Sequence, residues 1–375
     1  MPSPNSLNLS AKFSPYIQKD EDATGRCLKP TTKSYKSDAF LASREGRLIR
    51  VLCEFEEPKV RLQRNYIRST VLFFGSARAM TPEQYARTLC GLEAQRAELL
   101  AQQQHFTDPA EQRQAAAQAD TVAGEIENLR KTEWMCVWVQ KAEILAREIA
   151  LFAQREAALV SETFQSMPDY FNVNLAEVYP EEAPLEPPRH AAPGGSPTTR
   201  SPPPEMVLRH KINDLVVTTG GGPGFMEAAN KGAASVAGTK TIGMGISLPF
   251  EKGLNPFVSD DLAFEFHYFF SRKFWMMYSC RGIIVAPGGF GTMDELFELL
   301  TLKQTKKIPN LPVVLFGKQF WQTVVNWQAL SDYGVISQRE IDQMCFTDEV
   351  DEAIAFIRRF YRDVVDRQKA KAAAA

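Results

Sequence analysis

The segment Pro287–Thr292, which reads P-G-G-F-G-T, has the residue types of a phosphate-binding loop. It lies between an apolar stretch and a stretch with helical spacing. Glycine lets the backbone approach a ligand closely, and the start of a helix offers free N–H groups and a positive dipole end. Thr292, near the start of the predicted helix, adds a hydroxyl that can orient phosphate oxygens. The pattern predicts a phosphate-binding site formed by Gly288, Gly289 and Gly291.

Three charged residues on either side of this loop in the sequence could do chemistry. Glu295 is expected in the first turn of the following helix, close to whatever ligand the loop binds. A structural alternative stays open, because the helix dipole favours an acid in a first turn whatever its function. Arg272 and Lys273 precede an apolar helical stretch and offer either an anion clamp or a solvated helix start. Adjacent helical residues point to different sides, so at most one of these cations is expected to face a site.

A second glycine-rich turn, Thr219–Glu227, reads T-G-G-G-P-G-F-M-E and also joins a predicted strand to a predicted helix. Its glycines could contact a phosphate or a sugar, although tight turns also use glycine for steric reasons alone. It is not the dinucleotide fingerprint in its usual place, because no βαβ unit with a ribose-binding acid stands at the chain start. NAD is therefore disfavoured as a ligand.

The elements around these loops alternate between strand and helix. Apolar runs predict strands at 70–74, 215–218, 241–247, 264–268, 282–286 and 312–316. Helical spacing predicts helices at 225–237, 271–278, 292–304 and 320–329. Strands separated by single helices imply parallel pairing through right-handed crossovers. The expected fold class is α/β, a Rossmann-like open parallel sheet flanked by helices, whose ligands lie outside the carboxyl ends of the strands.

Other segments have the composition of tails and insertions. The expected organisation is a flexible tail at 1–40, a single Rossmann-like nucleotide-binding domain at 41–365 and a disordered tail at 366–375. An amphipathic arm beginning near Leu48 is expected to end at Pro58. A segment rich in Ala, Gln, Glu and Arg at about 91–131 predicts an inserted helical hairpin turning at Pro109, either a solvated decoration or a partner surface. A Pro-rich stretch at about 178–205 predicts a disordered linker.

Three segments in this order resemble one family: G-G-G-P-G-F-M-E-A-A-N, S-R-K and P-G-G-F-G-T-M-D-E. They are similar to the LOG ("Lonely guy") family of cytokinin riboside 5'-monophosphate phosphoribohydrolases and nucleotide 5'-monophosphate nucleosidases, once described as lysine decarboxylases. The similarity runs from about Val71 to Arg358. Leu248–Glu251 and Leu254–Pro256 are closer to long bacterial-type members than to the short plant enzymes.

The resemblance implies a hydrolase that cuts the N-glycosidic bond of a nucleoside 5'-monophosphate into free base and ribose 5-phosphate. Arg272 and Glu295 match the family's catalytic pair, with their individual roles left open. The positions implied in substrate binding are Gly221, Gly222, Gly224, Met226, Lys273, Gly288, Gly289, Gly291 and Thr292. Asp294 stands where many members have Glu. The resemblance also implies a homodimer or higher homo-oligomer, and no metal or organic cofactor is expected.

The bulk composition gives no sign of a nucleic-acid or membrane partner. The 375 residues carry a net charge of −2, with 44% apolar and 23% charged residues, as in ordinary globular proteins. Six cysteines and four histidines are scattered without metal-ligand spacing. Apolar runs are shorter than a bilayer span requires, and the N-terminal stretch lacks a secretory apolar core. A cytoplasmic protein is the expectation, with an organelle transit peptide as a minor alternative.

Two alternatives to the hydrolase remain open. A non-catalytic nucleotide-binding or sensing protein could use the same loops, although the presence of both Arg272 and Glu295 argues against it. A pyridoxal phosphate decarboxylase would need a lysine suited to a Schiff base, and Lys273 has no recognisable setting of that kind. The base that the substrate carries, whether isopentenyladenine, adenine or another, is not indicated by these motifs.

Overall fold

The computed structural model describes residues 31–165, 214–247 and 253–374, together with Thr24 and Arg26. The predicted linker at about 178–205 lies outside these ranges. The chain divides into two units, residues 1–53 and 54–375. In the first unit, a short helix α1 (Asp38–Ala42) follows a 3-10 turn over Ser34–Lys36, so helical structure begins inside the predicted flexible tail.

In the described part of the chain, seven strands form one sheet in which every pair of neighbours is parallel. The strands are β1 (Thr70–Phe74), β2 (Val216–Thr219), β3 (Thr241–Ile246), β4 (Ala263–Phe266), β5 (Cys280–Val285), β6 (Val313–Phe316) and β7 (Met344–Thr347). Their order is β4-β3-β2-β1-β5-β6-β7. The predicted Rossmann-like α/β class is confirmed, while the edge strand β7 was not predicted.

Helices cover both faces of the sheet. Besides α1, the helices of the described residues are α2 (Arg47–Arg64), α3 (Pro82–His105), α4 (Pro109–Arg130), α5 (Cys136–Arg155), α6 (Ala157–Gln165), α7 (Phe225–Ala234), α8 (Phe269–Tyr278), α9 (Phe290–Gln304), α10 (Lys318–Val324), α11 (Trp327–Asp332), α12 (Gln338–Asp342) and α13 (Val350–Ala374). Leu72 and Phe74 of β1 pack in the layer that contains α8 and α9. Val71 and Phe73 pack in the opposite layer, with α5, α7 and α13. The two helices that carry the predicted catalytic residues therefore lie on the same face.

The glycine-rich loops converge at the carboxyl ends of the central strands. β1 lies between β2 and β5. The strands that follow it in sequence, β2 to β4, lie on one side of β1, and β5 to β7 lie on the other, so the strand order reverses at β1. The amide of Ser76, just after β1, donates to the carbonyl of Pro287 at 2.9 Å, and the amide of Phe225 donates to the carbonyl of Ser76 at 3.3 Å. Such a switch point opens a crevice in which ligands bind in open α/β sheets.

Several predicted boundaries differ from those observed. α2 continues through Pro58, where the arm was expected to end. Two short helices, α10 and α11, replace the single helix expected at 320–329. α13 continues to Ala374 across the segment predicted as a disordered tail, because its Ala- and Lys-rich sequence has high helix propensity.

The inserted hairpin is present and begins earlier than expected. Thr81 and Gln84 form a capping box at the start of α3, and Pro109 occupies the first position of α4, as the turn at this proline predicted. Small and branched residues of α4 are buried: Ala115, Ala119, Val122, Ile126 and Leu129. Among the described helices, none has the length and apolar content needed to cross a membrane.

Candidate functional site

A buried ion pair joins the two residues predicted to be catalytic. Nη1 of Arg272, on α8, lies 2.7 Å from Oε1 of Glu295, on α9. The two side chains are only 9% and 11% exposed. Nε of Arg272 donates to the carbonyl of Met244, within β3, at 2.7 Å. The guanidinium is therefore fixed in orientation by a backbone acceptor and a carboxylate together.

The burial of Glu295 has an electrostatic consequence. Burial raises the pKa of this carboxyl above its ordinary value of 4.5, and the charge and hydrogen bond of Arg272 oppose that rise. Glu295 is the sixth residue of α9, so it lies in the second turn, and not in the first turn as predicted. The structural alternative, an acid held at the N-terminus by the helix dipole, thereby loses its geometric basis, since that effect is confined to the first turn.

Lys273 points away from the ion pair, as expected for neighbouring helical residues. Its Nζ lies 2.7 Å from Oδ2 of Asp294 and 2.8 Å from Oε2 of Glu298. Burial alone would lower the pKa of Lys273, but hydrogen bonds and charges of the two carboxylates outweigh burial and raise it. Of the two adjacent cations, Arg272 is the one at Glu295, while Lys273 links α8 to exposed carboxylates of α9.

The predicted phosphate loop leads directly into α9. The helix begins at Phe290 with Gly289 as its N-cap residue, so the amides of its first three residues have no carbonyl of the preceding turn to bind. A Cβ on Gly288 would lie 2.2 Å from Oγ1 of Thr292, which excludes any larger residue there. By contrast, a Cβ on Gly289 or Gly291 would meet no atom of the described residues within 4 Å. Packing against Thr292 explains why residue 288 is glycine. For Gly289 and Gly291, the simplest explanation is that the missing side chains leave space for a ligand.

The second glycine-rich loop lies against Arg272. A Cβ on Gly220 would be 2.6 Å from Nη2 of Arg272 and 2.9 Å from Sδ of Met226. Met226 also covers Gly222, whose Cβ would be 2.8 Å from the methionine methyl group. Gly224 has φ +71° and would bring a Cβ to 2.4 Å from the carbonyl oxygen of Ser76. The structure therefore brings Met226, both glycine-rich loops and the ion pair to one edge of the sheet.

Two buried asparagines hold this second loop in shape. Nδ2 of Asn255 donates to the carbonyls of Gly221 and Gly222 at 3.1 and 3.2 Å, and to Oδ1 of Asn230 at 2.9 Å. Oδ1 of Asn230 also accepts from the hydroxyl of Thr219 at 2.7 Å. Because unpaired carbonyls are costly when buried, this network fixes the loop in a single conformation.

Replacing Asn255 by Ala should lower the free energy of unfolding by about 2–3 kcal/mol, since several buried partners lose their hydrogen bonds at once. Asn310 is an exposed asparagine, and Asn310→Ala serves as the control, with an expected change within about 0.5 kcal/mol. Urea unfolding followed by circular dichroism measures both. An equal effect of the two substitutions would show that the network contributes nothing specific.

Sequence reasoning did not identify several residues that shape the site. The sequence predicted no separate role for Gly220 within the run of glycines, and Asn230 appeared only as the last residue of a motif. Leu254 fills the space above Gly221, with its Cδ2 2.7 Å from where a Cβ would stand. The backbone carbonyl of Met244 gives no side-chain signal at all. Of these, Gly220 and Asn230 could have been found from their motif, because both occupy fixed places within it.

Residues 226–357, about a third of the chain, match the family model described as "Possible lysine decarboxylase". The matched range contains Arg272, Glu295 and the whole P-G-G-F-G-T loop. No curated protein matches the chain significantly. The match supports the resemblance to the LOG-type family, in which sequences once described as lysine decarboxylases are grouped.

Proposed function

We propose that this protein hydrolyses the N-glycosidic bond of a nucleoside 5'-monophosphate and releases the free base and ribose 5-phosphate. The observation that carries the proposal is the buried pair Arg272–Glu295 at the carboxyl edge of a parallel sheet. A structural ion pair in such a place would be unusual, because desolvating two charges often costs as much as their attraction returns. A buried ion pair that carries this desolvation cost and lies beside two glycine-rich loops is typical of a site that acts on a ligand.

The loop and the start of α9 suit the 5'-phosphate. The amides of Phe290, Gly291 and Thr292 lie at the positive end of the helix dipole, which favours an anion. The absence of side chains at Gly289 and Gly291 leaves room for phosphate oxygens to approach these amides. Glu295 follows one turn further along the same helix, so a ribose bound through its phosphate would extend toward the carboxylate.

The chemistry requires a water oxygen to form a bond to C1' while the C1'–N bond breaks. The electron pair of that bond leaves with the base, which takes up a proton, and the water loses one. The transition state resembles an oxocarbenium ion, which a carboxylate can stabilise. Oε1 of Glu295 accepts from Arg272, so we assign Oε2 to C1' or to the attacking water. Nη2 of Arg272, which faces the Gly220 loop, is then directed toward the ribose or the departing base.

The decarboxylase alternative fits the residues less well. A lysine that forms a Schiff base must lose its proton, which burial away from acids favours. Lys273 is instead held by Asp294 and Glu298, which raise its pKa. The amine in this setting is a poor nucleophile at neutral pH.

Incubating the purified protein with AMP should release adenine and ribose 5-phosphate in equal amounts, measured by chromatography of the products. Adenosine is the matched control substrate, because it lacks only the phosphate that the α9 loop would bind, and we expect it to be cleaved at least about a hundredfold less efficiently. A panel that includes isopentenyladenosine monophosphate and pyrimidine monophosphates would identify the base. If one monophosphate bound tightly and none were cleaved, the protein would be a nucleotide-binding protein and the proposed hydrolase would be wrong.

A further inference from the structure

A carboxylate from α2 binds the start of α8, the helix that carries Arg272. Oε1 of Glu54 accepts from the amide of His267 at 2.9 Å, and Oε2 accepts from the amide of Tyr268 at 3.4 Å. Oε2 also accepts from the hydroxyl of Ser271, the residue that precedes Arg272. Glu54 therefore contacts the backbone before the helix and a side chain in its first turn.

α8 has no comparable cap in its own sequence. Its N-cap residue, Tyr268, makes no side-chain capping hydrogen bond, and the first turn contains no acid. The amides at a helix start need acceptors, and a negative charge there is stabilised by the helix dipole. Glu54, more than 200 residues away along the chain, meets both needs.

Pro58 gives Glu54 a second attachment to α8. In a continuous helix the carbonyl of Glu54 would accept from the amide of residue 58, but proline has no N–H. The indole Nε1 of Trp275 donates to this carbonyl at 2.9 Å, and Trp275 is buried. One residue of α2 thus holds α8 at its start and at Trp275, and Arg272 lies between these two points.

Building on the hydrolase proposed above, we propose that Glu54, with its carbonyl left available by Pro58, is a positioning residue that fixes α8 so that Arg272 meets Glu295. The guanidinium is itself held at 2.7 Å from both Glu295 and the carbonyl of Met244. A small shift or rotation of α8 would lengthen these short contacts. Misplacement of a reacting group by about 1 Å can cost about a hundredfold in rate.

Replacing Glu54 by Ala should lower kcat for AMP at least about tenfold with a smaller change in KM, since Arg272 loses its position and the phosphate loop is untouched. Glu56→Ala is the matched control, because Glu56 is an exposed acid on the same helix. It should leave kcat within about twofold of the wild type. Wild-type kcat in Glu54→Ala, measured in the soluble folded variant, would overturn the proposal.

A titration distinguishes positioning from general stabilisation. The groups that act on Glu295 are Arg272 and Lys273, which lower its pKa, and Asp294, which raises it. If Arg272 is displaced in Glu54→Ala, the pKa of Glu295 should rise above the wild-type value. Carbon-13 NMR of the labelled carboxyl, assigned by comparison with Glu295→Gln, measures this without any turnover. An unchanged pKa would overturn positioning even if the melting temperature fell.

Pro58→Ala provides the test if Glu54→Ala fails to fold. Alanine is a much better helix former than proline and restores an amide at position 58, which competes with Trp275 for the carbonyl of Glu54. We expect kcat to fall severalfold and the pKa of Glu295 to rise although α2 gains helix propensity. No change in either quantity would overturn the proposal. Absence of turnover in the wild type would contradict the proposed hydrolase function but not the positioning role of Glu54. The NMR titration would still show whether α2 positions Arg272.

Discussion

Glu295→Gln is expected to reduce kcat for AMP by about 10²–10⁴-fold, with binding of AMP reduced by no more than about fivefold. Glutamine keeps the shape of the side chain and can still accept a hydrogen bond from Arg272. It removes the negative charge that would stabilise the oxocarbenium-like transition state or activate the water. Because the phosphate would be bound by the start of α9 and not by this carboxylate, the loss should lie in turnover. Steady-state release of adenine and calorimetric binding of AMP measure the two quantities separately.

Asp294→Asn is the matched control for this substitution. Asp294 is the adjacent acid on α9, is 57% exposed and pairs with Lys273 at 2.7 Å. Neighbouring helical side chains differ by about 100° in direction, so Asp294 cannot reach the same substrate atom as Glu295. We expect kcat within about threefold of the wild type, since exposed ion pairs contribute little. Equal activity in Glu295→Gln and wild type would remove Glu295 from the mechanism.

The pH dependence of kcat/KM should report the same carboxyl in the free enzyme. Burial raises the pKa of Glu295 above its ordinary value of 4.5 despite the opposing charge of Arg272. The ionised form is the one proposed to act, so activity should fall as pH decreases through that raised pKa. The acid limb of the profile should therefore lie above pH 4.5. A profile that stayed flat down to pH 4.5 would mean that Glu295 is not the group that must ionise.

The central sheet could be predicted because its information is local. β1 at Thr70–Phe74 is an unbroken apolar run. One glycine-rich turn follows the end of β2, and the other directly precedes α9. The different directions of Arg272 and Lys273 also follow from helix geometry alone. Such features depend on neighbours in sequence, which periodicity and residue type can report.

The supporting contacts of the site could not be predicted because they join distant segments. Glu54 meets α8 across more than 200 residues, and Asn255 meets Asn230 and the Gly221 carbonyl across 25 and 34 residues. Pro58 predicted a helix end, whereas the helix continues, and the carbonyl of Glu54, which has no amide at residue 58 to bind, accepts from Trp275. In each case the side chain alone is ordinary, and only the fold supplies its partner.

Arg272→Met should be the most destabilising substitution at the site, by about 3–5 kcal/mol near neutral pH, together with loss of activity. Methionine has a similar length and fills much of the space, but it leaves Glu295 as a buried carboxylate without a counter-charge. It also removes the donor to the carbonyl of Met244. Urea unfolding at several pH values measures the effect, and Lys273→Met is the control. The partners of Lys273 are 57% and 37% exposed, so its loss should cost only about 1 kcal/mol.

The sign of the pH dependence follows from linkage. Without Arg272, the influence that lowers the pKa of Glu295 most is gone, so the folded-state pKa rises further above 4.5. A carboxyl whose folded-state pKa is raised stabilises the protein fully below its unfolded pKa, and this contribution is lost as pH rises through the folded pKa. The deficit of Arg272→Met relative to wild type should therefore be smallest near pH 4 and should grow as pH rises through the wild-type pKa of Glu295, which itself lies above 4.5.

The double variant Arg272→Met/Glu295→Gln separates the charge from the packing. Replacing the isolated carboxylate by a neutral amide removes the uncompensated charge, so the double variant should be more stable than Arg272→Met at neutral pH. It should also lose most of the pH dependence, because the titrating group is absent. What remains of the deficit then measures the lost hydrogen bond to Met244 and the change in packing. If the double variant were as unstable as Arg272→Met at every pH, the buried charge of Glu295 would not be the cause, and the pair would be held together by packing alone.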